Sequence, residues 1–452
     1  MSTTPTRRPD AHVRFGVFFQ GVNHHTVWSD AESGSQIDPA SFERVIRTAE
    51  RGLFDAFFLG EGLRLRESHG HLHDLDVVGR PDALTELAAL AAITSRIGLV
   101  ATQNATYNDP ADLARRLGSL DVLSGGRAAW NIVTTDNAWT GENFRRGGYL
   151  DHADRYVRAE EFVRAAQAIW DSWSEEERAF TRVQRSGTTV NIEVTPTVPR
   201  SPQGHPVLFQ AGDSPDGRTF AARNAEVIFS AHGSDLTDAL EFATDVRART
   251  VAAGRPVDDV KIFPGTFIVL AETDAAAEDK YEWLKRAQVT GATALSLLGH
   301  VWGRDLSHLD PDGPVPSIAD VVDKEFDGTR GAGLKSGSRR PLAQEWRERA
   351  EAENLSIREL VIAQERRRGF IGSPASVAEQ LIEFVRSGAV DGFNISPWIV
   401  PDGLEDIVEL LVPALQDRGA YRTAYTGTTL REHLGLRPPQ TRRELELAEA
   451  AG

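Results

Sequence analysis

The chain has no cysteine and a single methionine in 452 residues. Without thiols there can be no disulfide, no thiolate-bound zinc, no iron–sulfur cluster and no cysteine nucleophile. Positive charge is also short: 50 Lys and Arg stand against 66 Asp and Glu, a formal net charge of −16. Phosphate backbones and anionic bilayers are held by clustered Lys and Arg, so neither a nucleic-acid partner nor a membrane surface is expected. No apolar run approaches the roughly 20 residues of a membrane span. The opening MSTTPTRRPDAH has no apolar stretch of signal-peptide length behind its arginines. These absences point to a cytoplasmic protein. The GxGxxG fingerprint is missing too: QGVNHHTVW follows the first apolar run, which argues against an open dinucleotide-binding sheet.

What is present is an alternation of short β-branched and aromatic runs with longer helical patterns, the mark of βαβ units around a parallel sheet. Eight runs read as strands: VRFGVFF from Val13, FDAFFLG, IGLVATQ, RAAWNIVTT, PVLFQAG, AEVIFSA, KIFPGTFIVLA and VDGFNIS. Eight strands with helices between them favour a single closed (β/α)8 TIM barrel of the α/β class. Helices are expected over SFERVIRTAERG, from Pro81 with the proline in the first turn, after Asp109-Pro110, and from about Asp151 to Trp173. TRVQRSGTTVNIEV alternates like a hairpin inserted before the fifth strand. Residues 1–12 read as a disordered arm, 13–437 as the barrel and 438–452 as an acidic tail. About 290–355, rich in Gly, Pro, Asp and Ser clusters after the seventh strand, is the largest insertion and reads as a lid.

In a closed barrel the chemistry sits where the strands end. Those ends carry His24 and His25, Glu61, Thr102, Asn131 with Val133, the turn AGDSPDGR, and Asn394 with Ser396. The rim is polar yet poor in metal ligands and paired acids, which suits a neutral heterocycle with many carbonyls and ring nitrogens. Asn131 and Val133 share a strand face, so one can bond a ring edge while the other packs its plane. In AGDSPDGR, Gly212 permits close approach and Ser214 can cap a helix whose first N–H groups face outward, with Arg218 one turn later. The turn reads as an anion seat or as a plain helix cap. His24 and His25 read as proton-handling groups or as surface-loop residues. His69, His71 and His73 in SHGHLHD would face one way on an extended chain. That leaves open a metal-dependent hydrolase on the same barrel, although the carboxylates such an enzyme needs at other strand ends are missing.

Four segments, GRAAWNIVTTDN, DHADRYVRAEEFV, AGDSPDGR and LVPALQDRGAYRTAYTGTTLREHLGL, occur in this order. Together, over about His12 to Leu436, they resemble the bacterial-luciferase-like flavin monooxygenases, in the branch of the nitrilotriacetate, dibenzothiophene-sulfone and pristinamycin monooxygenases. The resemblance implies a two-component oxidoreductase. It would take reduced FMN as a co-substrate from an NAD(P)H-dependent flavin reductase and oxygenate a small organic substrate with O2 through a flavin peroxide. A homodimer or homotetramer is expected. By matching positions, Glu61 is the acidic residue near the flavin ring, where the family usually has Asp. Thr102 is the hydroxyl residue ending the third strand, and Asn131 is the Asn of the WNxVT string. His152 and Tyr156, four apart on one helical face, match residues that reach the FMN phosphate, as does Ser214. His24 and His25 fall where the family tends to place His and Trp beside the substrate. A deazaflavin-dependent oxidoreductase on the same barrel and a non-catalytic flavin-binding protein are the alternatives.

Overall fold

Eight short, largely buried runs of apolar residues close on one another in the computed structural model of the chain. They are β1 (Phe15–Phe18), β2 (Ala56–Leu59), β3 (Gly98–Asn104), β4 (Ala128–Val133), β5 (Val207–Gln210), β6 (Val227–Ser230), β7 (Lys261–Thr266) and β8 (Phe393–Ile395). Each pairs in parallel with its sequence neighbours, and β8 closes on β1. Each overlaps a run expected to be a strand, β3 reaching one residue past IGLVATQ to Asn104, and the architecture is the (β/α)8 barrel. The structure describes residues 7–19, 26–28, 37–63, 67–68, 71–72, 81–135, 140, 142–144, 152–322, 339–364, 369–440 and 444. Among them no helix is long and apolar enough to cross a membrane.

Seven helices follow the strands of the same number: α1 (Pro39–Arg51), α2 (Ala83–Ala91), α3 (Pro110–Leu123), α4 (His152–Trp170), α5 (Pro215–Asn224), α6 (Leu236–Ala252) and α7 (Asp274–Gln288). Asp38, Asp82, Asp109, Ser214, Asp235 and Thr273 cap six of them, each side chain accepting a first-turn N–H. Pro81 is not in a first turn as expected. The Asp82 carboxylate accepts from Thr85 N–H and takes the cap position, leaving the proline outside the helix.

Side chains alternate along each strand. One set, including Phe15, Val17, Leu99, Trp130, Ile132 and Phe393, packs outward against the helices. The other set faces the axis, where Ala56, Phe58, Val100, Ala129, Val207, Phe209, Val227 and Phe263 cluster with Leu430, Leu434 and Leu436. The short helix Leu430–Leu434 therefore lies across the end where the strands begin. Leu430 N–H bonds the carbonyl of Gly126 at 3.1 Å, just ahead of β4. A Cβ on Gly98, the first residue of β3, would meet Leu430 at 2.5 Å. Arg431 pairs with Glu226 and donates to the carbonyls of Gln203 and His205 beneath β5 and β6. With this base stopped, the opposite end is the open one.

Three local expectations need correction or refinement. KIFPGTFIVLA is two strands: β7 ends at Thr266, and Ile268–Leu270 pairs with Phe370–Gly372 in a separate sheet. The break falls at Phe267, whose ring packs edge-on against Trp398 at 4.5 Å and whose carbonyl accepts from Phe370 N–H. Among its described residues the insertion after α7 is mainly helical, with Gly291–Trp302, Arg339–Glu353 and Ile357–Gln364 packing Leu298, Trp302 and Leu360 into a core of their own. In the histidine-rich stretch, Ser68 pairs antiparallel with His71, so it is not one extended strand; His69 and His73 lie outside the described residues. The hairpin before β5 forms as the alternation indicated, Val183–Ser186 against Asn191–Val194.

Candidate active site

The strand registers sort the axial side chains into layers, each built from alternate strands. Phe58 lies beside Val100, Asn131 beside Thr102 and Phe209, Phe229 beside Phe263, and Asn394 beside Gly16 and Gly265. Following that stagger around the ring, Phe58, Asn131, Phe229 and Asn394 form one layer. β4 and β8 are opposite each other in the barrel, so the two amides face across the axis with an aromatic ring on either side. The layer above, toward the mouth, is Phe18, Thr102, Ala211 and Gly265. Ring centroids of Phe18 and Phe58 are 5.1 Å apart, Phe18 and Phe229 5.7 Å, and Phe58 and Phe209 6.1 Å. Ala211 is exposed and Phe18 and Phe229 are half-buried, so this aromatic floor is open to the mouth on the β5–β7 side.

Asn131 is 4% exposed, and its Nδ2 donates to Thr102 Oγ1 at 3.0 Å. Its Oδ1 is buried with no partner among the described residues, and so is Asn394 Oδ1. A buried acceptor left unpaired costs about 1–3 kcal/mol, a cost that a ligand with an N–H or O–H donor would remove. Val133 continues the Asn131 face and is half-buried at the rim. Glu61 follows β2. Burial pushes its carboxyl up to about 8, opposed by a backbone hydrogen bond from Asn104 and helped by the charge of Asp82. In its protonated form it can donate as well as accept.

The AGDS turn lies at the start of α5. Ser214 Oγ accepts from Gly217 N–H at 3.1 Å, which makes it the helix cap. The two glycines touch: a Cβ on Gly212 would lie 2.7 Å from Gly217 Cα. A Cβ on Gly217 would lie 3.0 Å from the Tyr156 hydroxyl. Helix α4 thus brings the Tyr156 hydroxyl onto the first turn of α5, at the helix end whose dipole favours an anion. The Tyr156 ring rests on Phe220 at 5.8 Å, with the Arg155 guanidinium 5.3 Å from its centroid. Arg218 is not aimed at the seat; it is committed to Asp213 and Asp245.

A family model described as luciferase-like monooxygenase matches residues 13–391. The chain belongs to this family. Its members are reduced-flavin-dependent enzymes. Over 95% of its length this luciferase-like monooxygenase is 39% identical to N-acetyl-S-(2-succino)cysteine monooxygenase of Bacillus subtilis (strain 168), covering 98% of that relative. It is 37% identical to nitrilotriacetate monooxygenase component A of Aminobacter aminovorans, covering 95% of this chain and 97% of the relative. A riboflavin lyase solved with modified FMN and riboflavin superimposes with a TM-score of 0.73 at 28% identity, covering 95% of this chain and 97% of the other.

The residues of this luciferase-like monooxygenase fit a flavin mononucleotide. The open aromatic floor suits a planar ring system, the free Asn131 oxygen suits a ring N–H, and the glycine-lined, Ser-capped helix start suits a phosphate. Thr102, Asn131, Val133, Tyr156, Gly212 and Ser214 all lie at the strand C-terminal end, as expected from the sequence, and Glu61 joins them past β2. His152 opens α4, one turn before Tyr156, but its side chain is outside the described residues, as are His24 and His25. Sequence reading missed the floor of Phe18, Phe58, Phe209 and Phe229. The alternation within their strands was visible, but only the register brings the four rings together.

Proposed function

We propose that this enzyme binds FMN reduced by a partner NAD(P)H-dependent flavin reductase and uses it with O2 to oxygenate a small organic substrate. The unpaired Asn131 oxygen, set beside Thr102 in the layer of Phe58 and Phe229 and on the strand next to the Ser214 turn, is the observation that carries this reading. Gly212, Ser214, Tyr156 and His152 hold the phosphate. Thr102, Asn131 and Val133 orient the ring, and the protonated Glu61 offers it a further donor. When bound, the reduced flavin supplies the electrons that activate dioxygen; the protein's share is orientation and exclusion of water. The insertion of about 290–355 serves as the lid, and His24 and His25 handle a proton at the substrate. The expected setting is a cytoplasmic homodimer or homotetramer with an acidic tail at 438–452; of the arm expected to be disordered, residues 7–12 are instead tied to the barrel, Arg8 donating to Asp391 at 2.6 Å and to the Val390 carbonyl at 2.8 Å.

Two relatives are named for carboxylate-bearing substrates, a succinylated thioether and nitrilotriacetate, so a screen starts with S- and N-carboxyalkyl compounds. Anaerobic calorimetry with reduced FMN should show saturable uptake, which Ser214→Ala with Tyr156→Phe weakens at least tenfold. Supplied with a generic flavin reductase and NADH under air, the enzyme should consume oxygen in step with one class of substrate. No uptake of reduced FMN by the parent protein would overturn the assignment.

A further inference from the structure

The phosphate seat has an acid built into it. Asp213 immediately precedes the capping Ser214, and its side chain is 51% exposed. A carboxylate at that point repels the anion that the helix start attracts. Two cationic groups answer it. Arg218 donates through Nη2 to Asp213 Oδ1 at 2.8 Å, through Nε to the Asp213 carbonyl at 3.0 Å, and through Nη1 to Asp245 at 3.1 Å. His232, two residues past β6, sets Nε2 3.0 Å from the same Asp213 oxygen and Nδ1 2.8 Å from Asp238.

An ionised carboxylate only accepts hydrogen bonds, so a ring nitrogen that holds one does so as a donor. Arg218 Nη2 lies 3.3 Å from the same Nε2 and joins this contact. Phe242 supports both groups, stacked on the imidazole at 4.4 Å and lying 4.7 Å from the Arg218 guanidinium. Asp245 is shared with Arg249 at 2.9 Å. The charged groups around the imidazole are therefore Asp213, Asp238 and Asp245 facing Arg218 and Arg249. Burial raises the Asp213 carboxyl, yet the bonds and charges of His232 and Arg218 hold it below its ordinary range.

We propose that His232, with Arg218, cancels the charge of Asp213 so that the turn before α5 selects a phosphate monoester over an uncharged hydroxyl. His232 is thus a positioning and selectivity residue for the flavin tail. This rests on the reading of that turn as the FMN phosphate seat.

Titrating the full-length protein with FMN and with riboflavin near pH 7.5, followed by flavin fluorescence, tests it. The readout is the ratio of the riboflavin to the FMN dissociation constant. His232→Gln should lower that ratio about fivefold, as expected for losing one partly screened charge near an anion. His232→Lys should recover most of it. The riboflavin constant itself should move less than twofold, which also shows that the barrel is intact. With Asp213→Asn already in place, His232→Gln should change the ratio less than twofold, because no charge remains to cancel. A parent that prefers FMN but whose ratio survives His232→Gln overturns this inference alone, as does an equal fall with and without Asp213→Asn. A parent that binds the two flavins equally overturns the phosphate-seat reading and this inference with it.

Discussion

Replacing Asn131 by Leu should make the ligand-free protein more stable and the flavin complex weaker. Asn131 Oδ1 is buried without a partner among the described residues, a state that costs about 1–3 kcal/mol. Leucine has similar bulk and no polar atom, and it would sit on the strand face between Ala129 and Val133. The change gives up one hydrogen bond, Asn131 Nδ2 to Thr102 Oγ1 at 3.0 Å, worth about 0.5–1.5 kcal/mol net, and the Thr102 hydroxyl can rotate to another partner. The balance is a gain of about 1 kcal/mol. At roughly 2.1 cal/mol/K per residue for the unfolding entropy, a chain of 452 residues would shift its midpoint temperature by only ~1 °C, so urea unfolding is the better assay. With flavin bound, the ligand donor is left facing a methyl group, a loss of about 1–3 kcal/mol, or roughly five- to a hundredfold in affinity. Flavin stabilises through RT ln(1 + [L]/Kd), so the FMN-induced rise in unfolding free energy shrinks as the apo value grows. An apo protein destabilised by more than about 1 kcal/mol, or an FMN constant unchanged within twofold, would refute the reasoning.

Glu61→Gln should alter the pH dependence. The Glu61 carboxyl is raised from 4.5 to about 8, so between those values the folded protein keeps a proton that the unfolded chain gives up. Stability contributed by this group is present at low pH and is lost as pH climbs toward 8; the variant-minus-parent difference in unfolding free energy should grow over that window, and a flat difference would count against it. At the base of the barrel, Arg431→Met strands Glu226 without its cation and frees the carbonyls of Gln203 and His205. A loss of about 3–5 kcal/mol in urea unfolding is expected, with FMN affinity of the folded fraction unmoved because the site is at the other end.

The barrel was legible because each strand is a short apolar run, buried on both faces, between helices with clear caps. The candidate site was legible wherever a polar residue ends such a run: Thr102 and Asn131 do touch, and Ser214 does cap α5. Helical spacing put Tyr156 on a face but could not say which; its hydroxyl finds Gly217 only through the packing of α4 on α5. The seventh run hid a break because Phe267 is as apolar as its neighbours. Helix Arg339–Glu353 was hidden for the opposite reason: RRPLAQEWRERAEAE offers few apolar positions, and only Ala343 and Ala350 are buried along it. The tie of Asp213 to His232 escaped notice because ionic partners from different loops leave no local pattern.

The stopper of Leu430, Leu434 and Leu436 also has a bearing on how the molecule is made. The first four strands are complete by Val133, yet the inward side chains of Val100 and Ala129 gain their cover from residues that leave the ribosome far later. Until that stretch emerges, the strands already made would present an uncorked, greasy lower rim. Selection on the C-terminal stretch is then a matter of assembly and yield, acting at a distance from any chemistry at the mouth.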